Sequence, residues 1–420
     1  MFHRVSKFLG ELDRRIKVLY VFFGVHMWHQ NLSSQYKQLY ATSLGANPVE
    51  LGVLESVGSI ASSIISMPSG WIADRYGARI VILIGLVLTS VVAAIYTLAW
   101  DWWTLLPAIL LSGACMRLVL PFVDALFINY SKAHQRSVVM SVSRTLWAIP
   151  GIFTSMAAAL IVGRFGGITT EGIRPLYIIQ LALSIGVLVS TALWLKPPSE
   201  TSNKKRVDPE VGRGFVRDTR DVFKGERGLT RWIAIMIIRE VDMRLSVPFL
   251  PLWMVDVKGA DPYTLGVMGT AGMVVQMLLQ IPAGSLADRI GRKRAFYVFR
   301  PFAYLGTLLM IVAPGAEYLV LVGVLGGFGL AGGLGGVSFV PFITMNFEMV
   351  PQRKRGRWLG LLGFFGILSF PVSVLGGIMW QQGLMVEVLL LPILLEALVA
   401  VPILITVPDT LRRVDIHRES

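Results

Sequence analysis

Charge is scarce in this chain. Only 15% of its 420 residues are Asp, Glu, Lys or Arg, against about a quarter in soluble globular proteins. With a mean hydropathy of +0.64, that shortage excludes an ordinary water-soluble enzyme. Cysteine is scarcer still. The single Cys115 rules out an intrachain disulfide and leaves the redox compartment unread. Histidine occurs five times. His26 and His29 stand three apart with no third ligand in sight, which makes a poor metal site. No G-x-S-x-G elbow occurs, and no glycine-rich loop sits in the strand-to-helix context that cradles phosphate. Tandem aromatic-basic repeats that would stack bases are missing as well. No enzyme activity, no cofactor, no metal and no nucleic-acid partner are therefore expected.

Apolar sequence fills the space. Hydrophobic residues make up 54% of the chain, and a transmembrane helix needs ~20 of them in a row. Runs of that kind, cut by charge or turn residues, fall at 17–44, 49–73, 80–99, 104–130, 137–162 and 176–195. Six more follow at 231–255, 263–287, 295–313, 317–347, 357–380 and 384–407. Residues 1–16 read as a tail, 196–230 as a polar linker with an amphipathic stretch near 215–223, and 408–420 as a second tail. The opening residues carry Glu11 and Asp13, so a cleavable signal peptide is not expected. The net charge of +13 is distributed by side: 30 of the 39 lysines and arginines fall in the tails, the linker and the loops on their side. The positive-inside rule then places both termini and the linker in the cytoplasm. An integral multi-pass protein of the plasma membrane, in contact with lipid and monomeric, is the expected setting.

The chain repeats itself. Pro48-Val49-Glu50-Leu51-Gly52-Val53 aligns with Pro262-Tyr263-Thr264-Leu265-Gly266-Val267, an offset of 214 residues. Over 48–79 the ungapped match gives 11 identities in 32 positions, among them Gly58 with Gly272 and Pro68 with Pro282. Such a half-length offset predicts an all-α membrane protein of twelve transmembrane helices in two pseudo-symmetric six-helix bundles, 17–195 and 231–407.

The strongest part of the repeat is a loop. Gly70-Trp71-Ile72-Ala73-Asp74-Arg75-Tyr76-Gly77-Ala78-Arg79 matches Gly284-Ser285-Leu286-Ala287-Asp288-Arg289-Ile290-Gly291-Arg292-Lys293. Gly70 would let its helix approach a neighbour, Gly77 and Gly291 would permit a tight turn, and Asp74 and Asp288 would meet the dipole of the next helix. Two copies of the pattern G-x-x-x-D-R/K-x-G-R/K-R/K, each between the second and third spans of a half, resemble the major facilitator superfamily. Ala78 is the one departure. The resemblance implies alternating-access secondary transport. It also implies a conformational latch at Gly70, Asp74, Arg75, Gly77 and Arg79, with a second at Gly284, Asp288, Arg289, Gly291 and Lys293.

Ionisable residues inside spans mark function by default. Arg117 and Asp124 share a face of the fourth span. The resemblance connects a fourth-span arginine with proton coupling, although Pro121 stands where the family has a glutamine-glycine pair. The fifth span holds Arg144 and then Pro150-Gly151, the reverse of the exporter order. The richest stripe lies on the first and seventh spans. The 214-residue offset pairs His26 with Glu240 and Gln30 with Arg244, each couple one helical turn apart. Arg239 and Asp242, three apart, would pair on another face, and Pro248 and Pro251 would bend the helix. Expected on the substrate path are His26, Gln30, Arg144, Glu240 and Arg244. His26, Arg117, Asp124, Glu240 and Asp242 are the candidate proton carriers.

With no nucleotide motif, an ion gradient is the energy source, and titratable groups together with the resemblance favour protons over another coupling ion. Span cations outnumber span anions, which favours a small organic anion or metabolite. An exporter of drugs or amphipathic compounds is the alternative, and a non-transporting receptor or scaffold is the alternative of another class.

Overall fold

A computed structural model describes residues 14–76, 78–131, 136–194, 229–327, 330, 332–349 and 370–407. All their regular structure is helical. In the first half, α1 runs Arg14–Leu32 and resumes as Lys37–Ser43. Then come α2, Pro48–Tyr76; α3, Ala78–Leu98; α4, Leu105–Tyr130; α5, Arg136–Arg164; and α6, Thr170–Trp194. In the second half, α7 is Leu229–Ser246, α8 Pro262–Ile290 and α9 Arg292–Val312. Helix α10 is Leu319–Leu325 continued by Phe339–Glu348, and the described part of α11 is Phe370–Gln381. Helix α12 runs Met385–Leu395 and continues through a π-turn, Glu396–Ala400, into Val401–Thr406. The two tails up to 13 and from 408, most of the linker with its 215–223 stretch, Gly77 and the start of the eleventh span lie outside the described residues.

Twelve helices are the expected number, with two local differences. Helix α6 begins at Thr170, ahead of the apolar run, because the Thr169 hydroxyl accepts from the Gly172 amide at 3.1 Å and caps it. The tenth span is not continuous. Gly326, Gly332 and Gly333 take left-handed φ values of 79°, 106° and 68°, which end one helical segment and start another.

The repeat reappears in three dimensions. Gly45 and Gly259, partners at the same offset, both turn the chain at positive φ, 95° and 70°. Asn47 and Asp261 follow as equivalent caps. The Asn47 side chain accepts from the Glu50 amide at 2.9 Å while Glu50 accepts from the Asn47 amide at 2.8 Å, a reciprocal capping box. Asp261 accepts from the Thr264 amide at 2.7 Å. That bond and one from the Thr264 side chain hold the exposed Asp261 carboxyl below the usual carboxylate range. Helices α1 and α7 also break at equivalent points by different chemistry. At 33–36 the Ser34 hydroxyl and amide both bond to the Asn31 carbonyl, at 2.8 and 3.2 Å, diverting the ladder. The matching break at Val247–Phe249 is a 3₁₀ turn carrying Pro248.

Within each half, the first helix packs on the last two, and the third on the fourth and sixth. Across the halves, α2 packs on α11 and α8 on α5. The crossing points are repeat partners again: Gly52 abuts the Ser373 backbone, and Gly266 abuts Ala159. No Cβ fits at either glycine without displacing the facing helix, so the close approach depends on small residues. We call the end at which α1 begins proximal and the other distal. The cross-half hydrogen bonds tie the distal part: Gln35 Nε2 to the Leu265 carbonyl at 3.0 Å, Ser56 Oγ to the Phe370 carbonyl at 2.7 Å, and the Tyr36 hydroxyl to the Pro262 carbonyl at 3.4 Å. Midway along its proximal half, α8 has an exposed stretch before Ala283 and Ala287 are buried again. Over 277–282 no residue is buried, and Leu278 and Ile281 are 69% and 78% exposed. The distal side of the interface is shut, and among the described residues no comparable contact closes the proximal side.

Candidate functional site

At the distal closure the two halves line a partly open cavity of about 210 Å³. Its two walls differ in chemistry. The first half presents Ser34, Gln35 and Gln38 from α1 and Ser155 from α5. The second half presents Leu250, Met254, Met268, Met273 and Leu330. Among the described residues no charged side chain lines it. The break in α1 puts Ser34 and Gln35 on this surface, and the prolines after α7 turn Leu250, Pro251 and Met254 toward it. Thioethers fill irregular space and adapt to different shapes, while the facing hydroxyls and amides supply donors and acceptors. Sequence reasoning missed this wall. The three methionines come from two helices that meet only in the fold.

Charges cluster beside the cavity and neutralise one another. Lys37 Nζ meets Glu55 Oε1 at 2.9 Å, and Gln38 Nε2 donates to the same oxygen at 3.4 Å. On α7, Arg244 Nε donates to Glu240 Oε1 at 2.9 Å, both side chains partly exposed. Arg244 lies within electrostatic range of Lys37 and Glu55, so one charged belt crosses from half to half. The structure therefore brings Glu240 and Arg244 together.

Their repeat partners sit differently. His26 and His29 are buried, with rings 5.0 Å apart and nearly perpendicular. Gln30 accepts from Gln180 Nε2 at 2.7 Å, and Gln180 in turn accepts from the Ser33 hydroxyl at 2.9 Å. This chain fastens α1 to α6. Gln180 carries no signal in the sequence, because its helix partner at the repeat offset is Leu394.

A second charged group is buried inside the second half. Arg300 on α9 grips Glu396 on α12 in a fork, with Nε to Oε1 at 2.6 Å and Nη2 on Oε2. Arg239 reaches the same carboxylate, its Nη1 at 3.8 Å, and its guanidinium lies 4.1 Å over the Phe342 ring. Arg239 also stays within electrostatic range of Asp242, its expected partner, so it stands between two carboxylates. Asp242 is fully buried and neither carboxylate oxygen makes a hydrogen bond. Asp124, on α4, is half-buried.

The expected latch residues divide. Gly77 and the side chains of Gly70, Asp74, Arg75, Arg117 and Arg144 lie outside the described residues. Arg79 Nη2 donates to the Ala192 carbonyl at 3.0 Å, and its partner Lys293 donates to the Ile405 and Val407 carbonyls at 2.9 and 2.6 Å. Each base thus satisfies the carbonyls that end the last helix of its own half. Asp288 pairs with Arg292, which also reaches Glu348 at 3.4 Å. Gly291 makes the turn at φ 102°, Arg289 is exposed, and a Cβ at Gly284 would meet open space. Among the described residues, no group of three or more His, Cys, Asp or Glu side chains is placed to hold a metal.

The comparisons with known proteins agree with this geometry. The Major Facilitator Superfamily model matches twice, over 18–239 and 232–420, once for each half. The chain is 28% identical over 131 residues to the quinolone resistance protein NorA of Staphylococcus aureus, covering 30% of this chain and 32% of NorA. It is 25% identical over 263 residues to the "Probable nitrate/nitrite antiporter NarK1" of Thermus thermophilus, covering 60% of this chain and 56% of that one. The matched stretches thus span less than two thirds of either relative. The fold is similar to that of the nucleoside transporter NupG, with a TM-score of 0.71 at 13% identity, over 93% of this chain and 98% of that one. Two matched halves, repeat-related at their crossing points, place the chain in the Major Facilitator Superfamily of multi-pass membrane transporters.

Proposed function

We propose that the protein carries a small amphipathic organic solute across the bilayer by alternating access, driven by an ion gradient with protons as the coupling ion. The observation that carries this reading is the two-sided cavity, polar on the first half and methionine-rich on the second. A solute with one apolar face and a few polar groups matches both walls. The cationic surplus that favours an organic anion loses weight among the described residues. Lys37 is paired with Glu55, Arg244 with Glu240, and Arg239 and Arg300 with Glu396. NorA is named for quinolone resistance and NarK1 for nitrate and nitrite. The cavity wall sides with the first, and the NarK1 likeness keeps an anionic metabolite as the competing reading.

In this reading 17–195 and 231–407 are the two moving bodies, joined by 196–230 on the cytoplasmic side, where the termini also lie. The protein works as a monomer in the plasma membrane. Glu240 and Arg244, with His26, Gln30 and Arg144, belong to the path. Gly70, Asp74, Arg75, Gly77 and Arg79, with Gly284, Asp288, Arg289, Gly291 and Lys293, form the proximal latch. His26, Arg117, Asp124, Glu240 and Asp242 are the pool from which the proton carrier comes.

The test is transport by purified protein in proteoliposomes under an imposed pH gradient, with a panel of fluorescent amphipathic dyes and of radiolabelled organic acids. The reading expects a dye to move with the gradient and to stop when a protonophore is added. Movement of organic acids alone would overturn the substrate class. Movement that ignores the pH gradient would overturn the coupling, and no movement in either panel would favour a receptor.

A further inference from the structure

The geometry points to Asp242 as a proton-binding site inside the second half, away from the cavity, with Arg239 exchanging between Glu396 and Asp242 as the proton arrives and leaves. This inference rests on the reading of the chain as a proton-coupled transporter and gives that coupling a place. Asp242 lies within electrostatic range of Arg239 on its own helix, Arg300 from α9 and Glu396 from α12, and Tyr304 of α9 stands beside the same Arg300 and Glu396. Helix α10 adds the Phe342 ring, and its Asn346 is taken up by the Trp232 indole at 2.9 Å. The described part of α11 carries no charged residue.

Two cations thus stand against two carboxylates, and the pairing is uneven. Glu396 holds the Arg300 fork and has Arg239 at 3.8 Å. Asp242 has no exposed surface and no hydrogen bond at either oxygen. An ionised carboxylate left so would be costly, whereas a protonated one needs far less compensation. The arrangement therefore fits the neutral acid, with Arg239 resting on Glu396 and on the Phe342 ring. When the O–H bond of Asp242 breaks and the proton departs, a buried anion appears three residues from Arg239. The Arg239 Nη1 holds no hydrogen bond, so this guanidinium is the one poised to turn. Its turn removes a tie between α7 and α12 and replaces it with one inside α7. The π-turn that begins at Glu396 gives α12 a local irregularity of the kind that recurs at functional sites.

Helix α7 connects this event to the solute. Arg239 and Asp242 occupy a face roughly 150° around the helix from Glu240 and Arg244, at 3.6 residues per turn. Proton and solute then act on opposite sides of one helix. They do not compete for one group.

The experiment is pH-difference infrared spectroscopy of the full chain in lipid, following the C=O stretch of protonated carboxyls. It needs no solute, so its outcome is independent of whether transport of any compound has been found. A titrating band is expected in the wild type. It should shift to lower frequency when aspartate is labelled with ¹³C at its carboxyl, and should vanish in Asp242→Asn while persisting in Glu240→Gln and Asp124→Asn. The isotope shift keeps the test valid if Asp242→Asn does not fold, and Asp242→Glu should then restore a titrating band that no longer responds to labelled aspartate. A band that survives Asp242→Asn, or one insensitive to aspartate labelling, overturns the site.

Discussion

Glu396 gathers two arginines from two different helices, and it is the residue whose loss is expected to be felt most. Replacing it by Gln leaves Arg300 and Arg239 buried without their anion. Breaking a buried pair from one side costs about 3–5 kcal/mol. Thermal unfolding of Glu396→Gln in detergent should show a marked loss, and an unfolding midpoint equal to wild type would show that the pair carries no stability. The caps offer a milder case. Asp261→Ala is expected to cost about 1 kcal/mol. Because the Asp261 carboxyl is held below the ordinary range, its stabilisation is present at neutral pH and fades as pH falls below ~4. The difference between wild type and Asp261→Ala should shrink on the same acid titration. Both caps were within reach of the sequence, since Gly45-Ala46-Asn47-Pro48 and Gly259-Ala260-Asp261-Pro262 are plainly related. Glu396 was not. Its partners lie 96 residues away on α9 and farther still on α7, and no local pattern announces them.

Among the helices, the glycine crossings decide how the two halves meet. Gly52 against Ser373 and Gly266 against Ala159 let α2 meet α11 and α8 meet α5 at the distal end. Gly52→Val and Gly266→Val should each hold the distal ends apart. The expected result is a longer distal distance by spin-label spectroscopy and a several-fold slower turnover, with helix content unchanged. An unaltered distal distance would mean that the crossings are not close enough to matter. Helix number and order were legible because a span in lipid must bury its backbone bonds within itself, so length and apolarity suffice. Which face of a span meets water, solute or another helix was far less legible. Helices α1 and α7 carry polar residues on more than one face, and periodicity then has little to report. His26 and Glu240 are repeat partners in sequence, yet one is buried beside His29 and the other is partly exposed beside Arg244.

At the scale of the whole molecule, duplication gives two bodies with matching breaks, caps and crossings, and the two interfaces between them, α2 with α11 and α8 with α5, are symmetry copies. A pair of equivalent contacts on opposite sides of one cavity is the mechanical requirement for rocking. Closure at the distal end is one of the two states that such rocking would visit. In alternating access the halves exchange which end is shut. Two distances in one protein, measured after replacement of Cys115, report that exchange. One is a distal pair at the exposed Glu171 and Glu317, and the other a proximal pair at the exposed Leu193 and Arg294. Double electron–electron resonance in lipid nanodiscs at acid and alkaline pH should show two populations. As pH changes, the distal distance should lengthen while the proximal one shortens. Distances that stay single and fixed, or that lengthen together, would contradict alternating access in this molecule.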